Sequence, residues 1–226
     1  MKPSGRLDFG TIADRYDRWY AEPLGSTYDR LEKRAIKAVL PPAVSGQRLL
    51  EVGSGTGHWS SFFAAQGYRV SGVDVSEEMV RVASAKGIGG ATFAVAAGEQ
   101  LPFGDDAFDV AACITVLEFA ERPAAVVAEM ARCTRAGGKL VVGVLNRHSL
   151  LALLRRLKRS RTYAAARFFS PRELERLLCA RRSCAVRPAA FVLPWRWALW
   201  TAAATDRIGR ALNLPWGDFL VGEVQL

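Results

Sequence analysis

The sequence predicts an α/β fold: an open, doubly wound, mostly parallel sheet of seven strands with helices on both faces. Three observations carry this. Apolar strand-like runs alternate with helix-like segments from Gln47 to Asn146, and parallel neighbours need such crossover connections. A bare loop, Gly53-Ser54-Gly55-Thr56-Gly57, follows the first apolar run directly. Asp74 ends the second run 21 residues beyond Gly53. Ligands of open α/β sheets bind in that region, beyond the strand carboxyl ends where connections diverge.

The elements follow in order. "QRLLEVG" (47–53) is a buried strand and "HWSSFFAAQG" (58–67) a helix closed by Gly67. "YRVSGVDVS" supplies a strand ending at Asp74. "SEEMVRVASAKG" is an amphipathic helix that Ser76 caps, its hydroxyl accepting from a first-turn amide. "ATFAVAAG" (91–98) and "FDVAACITV" (108–116) are the third and fourth strands, parted by the turn-rich "EQLPFGDDA". "RPAAVVAEMARCTRAGG" is a helix whose Gly137 and Gly138 make the turn into "KLVVGVLN" (139–146), the fifth strand. Beyond it, "SLLALLRRLKRS" has the pattern of a basic amphipathic helix. "SPRELERLL" is a second helix with a capping box, Ser170 as N-cap and Glu173 three residues on, and Pro171 at its first position. "SCAVRPAAFV" and "DFLVGEVQL" complete the seven strands; the Trp-rich stretch between them has no assigned element.

With 226 residues, half of them hydrophobic, the chain suits a single globular domain. "MKPSGRLDFG" has no apolar run of the signal-peptide kind, and Cys113, Cys133, Cys179 and Cys184 show no paired framework, so a reducing cytoplasm is expected. Neither His58 nor His148 stands at metal-ligand spacing from a cysteine, so no metal is expected. The net charge of +9 is concentrated: residues 147–187 carry twelve Lys and Arg against two Glu. Such a region attracts nucleic acid, acidic substrates or anionic lipid, or simply solvates a surface.

The glycine loop excludes two ligand classes. A dinucleotide fingerprint requires a third glycine where His58 stands, and a triphosphate loop requires a Gly-Lys-Ser/Thr ending that is absent. A nucleoside without phosphates fits better. S-adenosylmethionine meets that description, with Asp74 placed for a ribose diol and Glu51 beside the loop for the positive end of a methionine moiety.

Five segments then resemble, in order and spacing, the class I S-adenosylmethionine-dependent methyltransferases, in particular the ubiquinone and menaquinone biosynthesis branch with its type 11 methyltransferase domain. They are "LLEVGSGTGHWS", "VSGVDVSEEMV", "GEQLPFGDDAFDV", "VLEFAERP" and "EMARCTRAGGKLVVGV", within a resemblance running from Phe9 to Leu145. It implies a Rossmann-like core and S-adenosylmethionine as cofactor, with S-adenosylhomocysteine as product. By the resemblance, Glu51, Gly53, Ser54, Gly55 and Gly57 serve the methionine side, Asp74 the ribose, and Val75 and Met79 the adenine. The family commonly has an aspartate where Ala97 stands, so adenine contact is left to the backbone of Ala97 and Gly98. Ile114 would offer its carbonyl to the cofactor's amino group. Gly57 also suits a plain turn, and Met79 plain core.

The chain is expected to divide into a helical lid (1–46), a cofactor-binding core (47–146) and a basic, Trp-rich part (147–226) that completes the sheet and forms the acceptor site. Tyr16, Trp19 and Tyr20 belong to the lid, Tyr16 toward the cofactor and Trp19 and Tyr20 toward the substrate. Packing of this helix on the sheet edge is the alternative. Glu118 and Phe119 stand where an acceptor approaches, Glu118 as a candidate general base or as a surface or capping residue.

The expected reaction is methyl transfer to a small apolar or aromatic acceptor by alignment. The alternative is a binding or partner protein without turnover. The motif of nucleobase amino methyltransferases is absent, so nucleic acid is not expected as a partner. Trp195, Trp197, Trp200 and Trp216, with the basic helix, suit peripheral contact with an anionic membrane.

Overall fold

The computed structural model describes residues 16–44, 46–157, 166–179, 183–193 and 195–226. Seven strands form one sheet in the order β3-β2-β1-β4-β5-β7-β6. They are β1 (Arg48–Val52), β2 (Arg69–Asp74), β3 (Ala91–Val95), β4 (Phe108–Ile114), β5 (Thr134–Leu145), β6 (Cys184–Ala189) and β7 (Phe219–Gln225). The first five run parallel, and β7 lies antiparallel between β5 and β6.

Side-chain alternation along the strands divides the core in two. Leu49 and Leu50 are both fully buried but belong to opposite faces. On one face the strands pack against α2 (Pro23–Val39), α3 (His58–Ala65) and α8 (Ala202–Ala211), through residues such as Ile36, Phe63 and Ala202. The other face carries α5 (Pro123–Cys133) and α7 (Pro171–Leu178), through Met130 and Leu174. α4 (Glu77–Ala85) packs beside β2 and β3. A short α1 (Arg18–Ala21) precedes α2, and α6 (Leu150–Leu157) follows β5.

The helix punctuation follows the sequence. Ser76 accepts from the Met79 amide at the start of α4. Ser170 and Glu173 form the reciprocal capping box of α7, with Pro171 at its first position. Gly67 takes φ +97° just past α3, a conformation that a Cβ penalises.

Four expectations need correction. The third strand stops at Val95 rather than Gly98, because its partner β2 ends at Asp74, opposite Val95. The fifth strand starts at Thr134 rather than Lys139: Thr134 pairs with Phe108 before the register shifts to Val110 with Lys139, and Gly137 and Gly138 lie within that irregularity. The Trp-rich stretch folds into a 3-10 turn (Arg196–Thr201) and α8. Cys179 and Cys184, read as unpaired, are disulfide-bonded. Cys179 closes α7 and Cys184 opens β6, which brings their Cα atoms to 5.4 Å across five residues. That pairing removes the cysteine-based argument for a reducing compartment; Cys113 and Cys133 are free and buried. Among the described residues no group of His, Cys, Asp and Glu could hold a metal ion, and no helix is long and apolar enough to cross a membrane.

Candidate functional site

The loop after β1 is folded back onto the end of β2. The amides of Gly53 and Ser54 both donate to the Val73 carbonyl, at 2.7 and 2.9 Å. The Gly55 amide donates to Asp74 Oδ2 at 2.9 Å, and the Ser76 amide donates to Asp74 Oδ1 at the same distance. One carboxylate thus anchors the glycine loop and the turn into α4 together. Burial raises the Asp74 pKa above the usual carboxylate range, against the opposing pull of those amides. At Gly53, φ is +76° and a Cβ would lie 2.1 Å from Val116 Cγ2, so any side chain there would displace the end of the β4 connection.

The loop roofs one end of a cavity of about 470 Å³ beyond the carboxyl ends of β1, β2 and β4. Gly53, Ser54, Gly55 and Asp74 form one wall; Val75, Met79, Ala97 and Gly98 form a second, largely apolar one. Ile114, Glu118 and Phe119 stand along the end of β4, and Tyr16 and Tyr20 close over from the N-terminal side. Among the described residues, Ser54 Oγ and Glu118 Oε2 are buried at this cavity with no hydrogen-bond partner. A polar atom left unpaired in a buried position is costly, so both point to a ligand that completes them.

Glu118 is 2% exposed; its Oε1 accepts from the Leu145 amide. Burial pushes its pKa to about 7, with the Leu145 amide pulling the other way. Glu51 is sealed beneath the glycine loop, its carboxyl taking the Ser60 hydroxyl, and burial with the nearby Asp74 charge lifts it to about 8.

A family model described as a methyltransferase domain matches residues 50–142. An uncharacterised protein of Methanocaldococcus jannaschii is 35% identical over 172 residues, covering 75% of this chain and 78% of that protein. A solved S-adenosylmethionine-dependent methyltransferase of Thermotoga maritima, described as a possible histamine N-methyltransferase, superposes with TM-score 0.75 at 26% identity, covering 96% of this chain and 97% of that one. The chain belongs to the S-adenosylmethionine-dependent methyltransferases. A ubiquinone biosynthesis O-methyltransferase of Thiobacillus denitrificans is 34% identical over 149 residues, 59% of this chain and 63% of that protein.

The methyltransferase uses S-adenosylmethionine as cofactor, and its cavity fits that group: an orphaned buried hydroxyl, a carboxylate and an apolar slot share one wall system. Gly98 shapes the slot, since a Cβ there would lie 2.8 Å from Val52 Cγ1. The assignment as an enzyme displaces the binding-only alternative.

Three sequence-selected residues do not line the cavity. Glu51 lies behind the loop because β1 points it to the α3 side, where Ser60 meets it. Gly57 turns away as the N-cap of α3, with φ +80°. Trp19 faces the core and stacks on Tyr28, whereas Tyr16 and Tyr20, four apart, share the cavity side of their helical turn.

Ile114 lines the cavity, and its carbonyl accepts the Thr115 hydroxyl at 2.8 Å. His58, Thr115 and Arg167 line the cavity without having been selected. Thr115 takes φ +54°, unusual for a β-branched residue, at the point where β4 meets the cavity. His58 carried a legible signal, since it occupies the position that disqualified a dinucleotide loop. It stacks face to face under Tyr20 with centroids 3.6 Å apart, and its Nε2 lies 2.6 Å from Asp29 Oδ1. Arg167 belongs to no motif; its amide donates to the Glu118 carbonyl at 2.8 Å.

Proposed function

We propose that this methyltransferase methylates an N–H or O–H group on a small acceptor with an apolar or aromatic body. The observation that carries the reading is Glu118: a buried carboxyl at the cavity with one oxygen engaged by backbone and the other unpartnered. Its raised pKa, about 7, suits proton acceptance near neutral pH.

The cofactor supplies a sulfonium methyl that is already electrophilic. The chain therefore has to hold, align and dry the reactants. In this reading Gly53, Ser54 and Gly55 present backbone and hydroxyl to the methionine part. Asp74 accepts from the ribose diol, and Val75, Met79 and the backbone of Ala97 and Gly98 enclose the adenine. Ile114 keeps a carbonyl for the amino group, and Glu51 acts only through the loop that it supports. Phe119 offers apolar surface to the acceptor body. Tyr16 and Tyr20 exclude water, and burial together with Tyr16 keeps the Tyr20 phenol protonated. Residues 1–46 are the lid, 47–146 the cofactor core and 147–226 the part that supplies Arg167 to the acceptor side.

The test is Glu118→Gln, assayed by S-adenosylhomocysteine release against a panel of phenols, catechols, imidazoles and primary amines. The substitution keeps the Leu145 bond and removes the base. With a responsive acceptor, kcat should fall about 10²–10⁴-fold, and the acid limb near pH 7 should disappear while cofactor affinity holds. An unchanged kcat across pH would sink the assignment.

A further inference from the structure

The strongest feature outside the cavity is the outer face of the 3-10 turn and α8. An amphipathic helix normally buries its large apolar side chains. Here the inward positions are Ala198, Ala202, Asp206 and Gly209, all buried. They are small because the helix is pressed against Phe191: a Cβ on Gly209 would lie 2.3 Å from its ring. The large apolar residues are consequently outside. Trp197 is 72% exposed, Trp200 83%, Ile208 55% and Leu212 66%. Trp195 and Trp197 stack on each other in solvent, with centroids 6.2 Å apart.

The surface continues beyond α8. Asn146 Nδ2 donates to the carbonyls of Pro215 and Gly217 at 2.8 and 2.7 Å, so the loop carrying the exposed Trp216 lies beside the start of α6. On α6, Leu153 is 54% exposed.

Charge selects the occupant. From Trp195 to Gly217 the sequence holds three arginines and one acid, Asp206, which is buried and paired with Arg210 at 3.0 Å. That stretch therefore exposes no carboxylate, while Arg207 is exposed. Two copies of a chain of net charge +9 meeting through this face would bring like charges together. An anionic lipid surface offers the opposite: headgroups for Arg207 and an interfacial zone in which tryptophan rings are favoured.

We propose that the outer face of α8 and its preceding turn, with Trp216 and Leu153 beside it, is a membrane-docking surface for anionic phospholipid. Docking is peripheral. Trp197, Trp200 and Leu212 enter the interface, and Arg207 pairs with headgroups. This inference is independent of the acceptor reading.

The test is co-sedimentation of the full chain with phosphatidylcholine vesicles and with phosphatidylcholine vesicles containing phosphatidylglycerol, at low and high salt. The variants are Trp197→Ser, Trp200→Ser and Arg207→Glu. Their fold is checked by the thermal shift that S-adenosylhomocysteine produces. The expected result is binding to the anionic vesicles, weaker at high salt, with a blue shift of tryptophan emission. Each tryptophan substitution should weaken partitioning about tenfold, and Arg207→Glu should weaken it only on anionic vesicles. No binding to anionic vesicles at low salt overturns the proposal. So does binding that the tryptophan variants leave intact, since other basic residues would then carry it. Concentration-dependent dimerisation abolished by Trp200→Ser, without vesicle binding, overturns it in favour of a second copy.

Discussion

Glu51 and Asp74 are both acids at the carboxyl ends of neighbouring strands, yet they do different work. Asp74 accepts two backbone amides, from Gly55 and Ser76, at the cavity wall. Asp74→Ala removes both anchors and the proposed ribose contact. S-Adenosylhomocysteine at about a hundredfold above its Kd should stabilise the wild type by ~2.7 kcal/mol, a rise in Tm of about 5–10 °C. The variant should show none; a full shift in the variant would remove Asp74 from the cofactor site. Glu51 is fully buried, and burial lifts its pKa from 4.5 to about 8. Between those values the unfolded chain releases a proton that the folded chain retains. Its contribution to stability is therefore complete below pH 4.5 and is lost as pH rises toward 8, by up to ~1.4 kcal/mol per pH unit. Glu118, raised to about 7, adds in the same direction. Urea midpoints of the wild type should fall from pH 5 to pH 8.5, and those of Glu51→Gln should fall less. Identical pH profiles would mean that Glu51 ionises freely in the fold.

At the scale of elements, α1 is held over the glycine loop by polar contacts rather than by a core, for it buries no residue. The Thr56 hydroxyl donates to Asp17 Oδ1 at 2.6 Å, and Lys86 pairs with the other oxygen of that carboxylate. Burial would raise the Asp17 pKa, but the bonds from Lys86 and Thr56 outweigh it and hold it low. Tyr20 lies on His58, which Asp29 of α2 orients. Removing residues 1–21 should therefore leave the unfolding midpoint within a few degrees and weaken S-adenosylhomocysteine binding about tenfold, measured by titration calorimetry. An unaltered Kd would exclude α1 from the site. The sequence made this stretch legible as an aromatic helix, but grouped Trp19 with Tyr16 and Tyr20. Helical spacing puts residues four apart on one side, and the packing of Trp19 on Tyr28 then decides which side faces the cavity. Arg167 was not legible at all, because it reaches the cavity through a tertiary hydrogen bond to the Glu118 backbone rather than through a motif.

Over the whole molecule, the half built from parallel crossovers was legible, since glycine loop, strand-end aspartate and capped helices recur in the order that the chain folds. The other half was not. Strands were readable over 183–192, where pairing in fact ends at Ala189, and over 218–226, but nothing local says that the last one lies inside the sheet, between β5 and β6. The signal is a single tertiary fit: Gly143 of β5 leaves the space that Phe219 of β7 fills, and a Cβ there would lie 2.2 Å from the Phe219 ring. One sequence does not reveal which residue such a gap serves. The placement has a kinetic consequence. β5 and β6 have no shared partner until the C-terminal strand pairs with both, a contact of long sequence separation that delays completion of the sheet. Deleting residues 219–226 should leave β5 as an unpaired edge, strip Phe219, Leu220 and Val224 from both core faces, and abolish the cooperative urea transition and the S-adenosylhomocysteine shift together. A truncated chain that still unfolds cooperatively, with the ligand shift intact, would show that the parallel half folds alone and that β6 and β7 are an addition to it.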